Sequence, residues 1–177
     1  MTGLTAREAI EILGLVPLEG EGGYFRRTWV SPIEAGPAPD STSGAAGRAA
    51  ESRAAGSAIY FLLTAEPDGF SAFHRLGTDE VYHFYRGDPA ELHLLKPDGS
   101  HELVILGPNF ERGQNPQALV RAGVIQGSRL VAGGAWALLG CTMAPAFAPE
   151  DFQLLERAEL GSRYPGLSTL VSELTRE

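Results

Sequence analysis

The sequence predicts a mainly β chain folded as a barrel or sandwich, with short helices only near its two ends. Between Ala58 and Met143, runs of β-branched and aromatic residues follow one another, separated by Pro67-Asp-Gly, Gly87-Asp-Pro, Pro97-Asp-Gly and Gly133-Gly. Many short strands with regular turn signals pack as a two-sheet or closed β architecture. Helical spacing of apolar residues occurs near the termini, at Ala6, Ala9, Ile10 and Leu13 and at Leu167, Leu170, Val171 and Leu174, where a stripe at every third or fourth position buries one helix face.

The first helix has its own start and stop. Thr5 and Glu8 form a capping box and Gly14 ends the pattern, so the helix is expected to cover one end of the barrel. Tyr24 to Val30 reads as a strand in which Arg26 and Arg27 alternate with aromatic or polar neighbours. From Ala35 to Ser57 there is not one large apolar residue. Such a stretch adds nothing to a core, and residues 35–57 are expected to be a mobile insertion in a hairpin connection, without function at its tip. Pro165 opens the closing helix. No internal repeat interrupts this order, and residues 1–177 are read as a single domain.

Composition narrows the partners. The 177 residues carry a formal net charge of −8 and a pI near 5.0, which argues against nucleic acid or an anionic membrane as partner. No apolar stretch approaches the roughly 18 residues of a membrane span, and Met1 to Ile10 lacks a basic segment followed by an apolar one. The single cysteine, Cys141, sits in an apolar run and reads as a buried thiol suited to a reducing cytoplasm.

Most functional information lies between His74 and Gly87. Six residues, mostly aromatic or β-branched, separate Glu80 from Gly87, giving a strand followed by a tight glycine turn. Residues two apart on a strand share a face, so Glu80, Tyr82 and Phe84 point one way and Val81, His83 and Tyr85 the other. A histidine and a carboxylate on neighbouring strands can share a proton, bind a metal, or hold each other in a core. A carboxylate among aromatics would cost several kcal/mol if buried unpaired, so Glu80 needs a partner such as His74, an arginine or an ion.

His74, Glu80 and Gly87 resemble the first motif of the cupin superfamily, whose second histidine slot is here Leu76. Arg121-Ala-Gly-Val-Ile-Gln126 resembles the second motif, with Arg121 in the proline position and Gln126 in the histidine slot. The resemblance extends, in order, through Glu21-Gly-Gly-Tyr-Phe-Arg26, Ala58-Ile-Tyr-Phe-Leu-Leu63, Gly134-Ala-Trp-Ala-Leu138 and Cys141-Thr-Met-Ala-Pro-Ala-Phe147. It is closest to a small branch of dimeric cupins similar in shape to the deoxysugar-nucleotide epimerases. It implies a cupin-type double-stranded β-helix, or jelly-roll barrel, that forms a homodimer, with His74 turned inward toward Glu80.

Three chemistries fit this set. His74 with Glu80 as base and Tyr82 as acid would serve a metal-free carbohydrate or nucleotide-sugar isomerase or epimerase. His74, Glu80 and Gln126 could instead hold a divalent metal, but a leucine and an amide in two ligand slots weaken such a site, and no cofactor is expected. The barrel could also bind a small polar, carbohydrate-like ligand without turnover. Phe84, Gln126, Tyr60, Arg26 and His83 complete the expected ligand-binding set. Each has a structural reading too: Tyr60, Tyr82 and Trp136 as core bulk, His83 as core or dimer interface, and Arg26 and Arg27 as solvent-facing strand residues. His93 and His101 are expected to have no role.

Overall fold

The computed structural model describes residues 3–35 and 53–176. Its first element, α1 (Ala6–Leu13), begins at the anticipated capping box. The Glu8 backbone N–H donates to Thr5 Oγ1 at 3.3 Å, and the Thr5 N–H donates to Glu8 Oε2 at 2.8 Å. Gly14 closes the helix at φ 60°. Contrary to expectation, α1 does not cover an end of the barrel. Its Ala9, Ile10 and Leu13 pack with Tyr24, Leu62, Trp136 and Leu138, which places it on the outer flank of a sheet whose outward positions are themselves apolar and need cover.

The strands follow as β1 (Val16–Pro17), β2 (Tyr24–Val30), β3 (Glu34–Ala35), β4 (Arg53–Ala54), β5 (Ser57–Thr64), β6 (Ser71–Arg75) and β7 (Glu80–Gly87). After these come β8 (Ala90–Leu95), β9 (His101–Leu106), β10 (Gln117–Val120), β11 (Ile125–Leu130), β12 (Trp136–Met143) and β13 (Gln153–Leu154). They form a six-stranded sheet in the order β1-β2-β5-β12-β7-β10 and a five-stranded sheet in the order β13-β6-β11-β8-β9. Phe61, Leu63, Tyr82, Leu92, Leu106 and Leu139 fill the space between them. This is the mainly β two-sheet architecture that the turn signals predicted, in the jelly-roll form that the resemblance implied.

Two helices close the chain where one was expected, α2 (Arg157–Arg163) and α3 (Ser168–Glu173), with a 3-10 turn at Pro165–Leu167 between them. They cover the outer face of the five-stranded sheet through Leu160, Val171 and Leu174 against Phe73, Leu95 and Ile125. Among the described residues no helix is long and apolar enough to cross a membrane.

The ends of the expected insertion, 35–57, belong to the β framework. Ala35 pairs with Arg53 across β3 and β4, the Arg53 guanidinium pairs with the Asp151 carboxylate, and Ser57 opens β5. Backbone pairing and a half-buried ion pair hold these residues although they lack apolar bulk. The remainder of that stretch, 36–52, lies outside the described residues. At Gly87 (φ 101°) β7 turns into β8, and a Cβ there would run into the Trp136 carbonyl, so the turn requires glycine.

Candidate active site

The turn at residues 76–79 carries the chain from one sheet to the other, so His74 on β6 and Glu80 at the start of β7 face each other across the barrel mouth. His74 pairs with Gln126 of β11 on one side and Leu154 of β13 on the other, and it is 2% exposed. Its Nδ1 lies 2.8 Å from the Ala72 carbonyl oxygen. A carbonyl oxygen can only accept, so Nδ1 carries the hydrogen and Nε2 is left as the basic nitrogen. Glu21 Oε1 stands 4.0 Å from Nδ1, and the imidazole stacks on Phe152 with ring centres 5.2 Å apart.

Glu80 is 6% exposed. Gln126 donates its Nε2–H to Glu80 Oε2 at 2.7 Å, and Tyr82 and Cys141 line the same cavity beside this carboxyl. Burial pushes the Glu80 carboxyl above the ordinary glutamate range. The nearby His74, Gln126 and Cys141 oppose that shift, and Glu21 reinforces it. Burial also raises the Tyr82 hydroxyl and the Cys141 thiol well above their usual values, with the neighbouring Glu80 adding to both. Glu80 therefore keeps its proton to higher pH than an exposed glutamate, and Tyr82 and Cys141 act as neutral donors.

These groups open into a cavity of about 280 Å³. Phe25, Ile59, Phe61, Met143, Phe147 and Phe152 supply most of its wall, and His74, Glu80, Tyr82, Glu21, Cys141 and Arg27 its chemistry. Strand register explains part of this grouping. Arg27 lies opposite Ile59, Ile59 opposite Cys141, and Cys141 opposite Tyr82, forming one row across four strands with its side chains on the cavity side.

The structure brings together three of the expected residues, His74, Glu80 and Tyr82. Gln126 supports Glu80 from behind without lining the cavity. Phe84 shares the inward face but packs into the core between the sheets. Arg26, Tyr60 and His83 lie on the outer face of the six-stranded sheet, away from the cavity. The Arg26 guanidinium sits over the Tyr60 ring at 5.5 Å, Tyr60 meets Tyr85 edge-on, and His83 stacks on Tyr85 and hydrogen-bonds with Thr142 Oγ1 at 3.2 Å. Strand alternation sends these three outward, Arg26 opposite to its cavity-side neighbours Phe25 and Arg27. His93, expected to have no role, is buried between Glu91 Oε2 and His101 Nε2, each 3.1 Å from one of its ring nitrogens.

Sequence reading missed Glu21, Phe147 and Phe152 and left Arg27 undistinguished from Arg26. Glu21 accepts a hydrogen bond from Ser71 Oγ at 2.7 Å and comes from a loop, as the two phenylalanines do, where no periodicity marks direction. For Arg27 the signal was present, since alternation from Phe25 predicts a shared face.

The four-ligand metal set of cupins does not fit these residues. Leu76 lines the cavity in one slot. In another, Gln126 gives its N–H to Glu80 and leaves its Oε1 buried without a protein partner. Among the described residues no three His, Cys, Asp or Glu side chains are grouped to hold a metal ion.

The family described as Cupin superfamily (DUF985) matches residues 7–155. Two solved structures are similar over nearly the whole chain. A hypothetical protein from Leishmania major is 30% identical, with a TM-score of 0.84 and coverage of 98% of this chain and 100% of that one. A protein from Shewanella oneidensis is 31% identical, with a TM-score of 0.81 and coverage of 98% and 99%. A cupin 2 domain-containing protein from Halorhodospira halophila shares the fold at 14% identity, with a TM-score of 0.54 and coverage of 90% and 87%. No curated protein matches.

Proposed function

This chain belongs to the cupin superfamily (DUF985), and we propose that its barrel mouth is a metal-independent proton-transfer site of the isomerase or epimerase type, acting on a small polar carbonyl compound. The observation that carries this reading is the state of His74. With Nδ1–H tied to the Ala72 carbonyl, Nε2 is a base on a cavity-lining residue, and a burial-raised carboxyl, Glu80, stands beside it as the matching acid. His74 Nε2 would take a proton from the carbon next to the substrate carbonyl. The electron pair then moves to the carbonyl oxygen, which receives the Glu80 proton, and Tyr82 donates a hydrogen bond to the same charge as it develops. Where that carbon bears a hydroxyl, the imidazolium gives its proton to the former carbonyl carbon while the hydroxyl gives its proton to the Glu80 carboxylate, which yields the isomer and restores both groups. Protonation of the first carbon by water on the opposite face, with the enol proton returned to Glu80 and the His74 proton passed to the resulting hydroxide, yields the epimer.

The cavity volume of about 280 Å³ favours a compact substrate over a whole nucleotide sugar, since pockets for drug-sized ligands run from about 300 to 1,000 Å³. Deuterium incorporation from D2O into compounds such as dihydroxyacetone and phenylpyruvate, followed by proton NMR, tests the proposal. Wild-type protein should exceed the buffer rate, His74→Gln should lose at least about a hundredfold and Glu80→Gln about tenfold. No incorporation above buffer across such a panel would overturn it.

A further inference from the structure

We infer that the cavity selects a substrate bearing one anionic group, a carboxylate or a phosphate monoester, on a flat apolar body, and that Arg27 is the residue that grips the anion. The position of the reacting carbon rests on the proton-transfer reading; the anion grip does not. Most arginines of the described chain are engaged: Arg7 with Glu11, Arg53 with Asp151, Arg121 with Asp79, Arg129 with Glu91 and Glu173, and Arg176 with Asp68. Arg26 lies over Tyr60. Among the described residues Arg27, Arg86 and Arg112 show no side-chain partner, and of these three Arg27 is the one that lines the cavity. A guanidinium left open beside an apolar wall supplies paired donors shaped for a carboxylate or phosphate.

The surroundings limit that anion to a single group. Of the cavity acids, Glu21 is committed to Ser71 Oγ and stands beside His74, and Glu19 at the rim would repel a second negative charge. A diphosphate would meet one arginine and these two carboxylates. The body of the substrate is indicated by Phe25, Phe61, Phe147 and Phe152, which enclose the cavity from the sheet and from the loop beyond β12. Arg27 and Tyr82 are three strand spacings apart, roughly 14 Å along the sheet. Arg27 therefore stands at one end of the row and Tyr82 at the other, with the apolar wall between them.

Calorimetry on the full chain with phenylpyruvate, phenyl phosphate and the uncharged phenylacetone tests this. At least one anion should bind about tenfold or more tightly than phenylacetone, and whichever of the two is tighter identifies the group. Arg27→Ala should erase the preference, Arg27→Lys should keep part of it, and Arg86→Ala should leave it intact. Phenylacetone binding as tightly as both anions, a preference that survives Arg27→Ala, or the absence of saturable binding by any probe would overturn the inference. His74→Gln separates the two ideas, because it should keep the anion preference while losing deuterium exchange. An Arg27-dependent preference without exchange in the wild type supports the grip and rejects proton transfer, and exchange without the preference does the reverse.

Discussion

Glu80 is held where its ionised form is costly, and that cost can be measured as stability. Its carboxyl is raised in the folded chain, chiefly by burial. The folded state therefore holds this proton more tightly than the unfolded state, and the contribution is fully present below the unfolded value and is lost as pH rises through the folded one. Glu80→Gln removes the ionisation while leaving an oxygen to accept from Gln126. Its melting temperature should match wild type near pH 4 and exceed it at pH 8, where the wild-type carboxyl ionises against burial and the amide does not. A difference independent of pH would show that Glu80 does not ionise against a burial penalty. Residue-level legibility was uneven. His74, Glu80 and Tyr82 could be placed because alternation along one short strand and a motif fixed their direction. Alternation put Arg27 on the face of Phe25 and Arg26 on the other, but only pairing with β5 showed which face is inward, and Glu21 lies in a loop whose path no local pattern sets.

At the scale of elements, the loop at residues 18–23 that presents Glu21 is held by the end of the chain. Arg176 donates to the Glu21 carbonyl at 3.1 Å and to the Phe70 carbonyl at 3.3 Å, lies 4.1 Å over the Phe70 ring, and pairs with Asp68. Gly22, at φ 104°, leaves room for it, since a Cβ there would meet the guanidinium. Arg176→Ala should cost about 1–3 kcal/mol through the unpaired carbonyls and lost ring contact. It should also lower proton-exchange activity by loosening Glu21 beside His74. Urea denaturation and the deuterium assay measure both effects. Unchanged stability would mean the loop holds its shape without the clasp. The helices show a similar limit of sequence reading. Their apolar stripes were visible, but Leu62 and Leu138 sit in strands with buried neighbours on both sides, and a continuous apolar run does not say which face a helix will cover.

For the whole molecule, a mainly β barrel or sandwich was legible because glycine and proline turns separate the strands between Ala58 and Met143, and its jelly-roll form came from the motif resemblance, whereas the quaternary arrangement depends on edges that only the topology reveals. β1 pairs with Tyr24 and Phe25 alone, so among the described residues the rest of β2, through Trp29 and Val30, is an open edge with two large side chains about half exposed. The expected assembly is a homodimer paired through β2, which would cover that edge. Sedimentation should give twice the 18.8 kDa chain mass at micromolar concentration, and Trp29→Asp should shift it toward monomer. A wild-type monomer at that concentration would count against the pairing.

The proposed chemistry depends on the chain's own acid and base, in a barrel that has Leu76 and Gln126 at two positions of the motifs it resembles where a histidine would stand. The most direct measurement is the deuterium-exchange rate of one preparation before and after exhaustive chelation, with metal content determined on the same samples by mass spectrometry. The expected result is metal well below one equivalent and an unchanged rate. Near-stoichiometric zinc, iron or manganese whose removal abolishes exchange would contradict it.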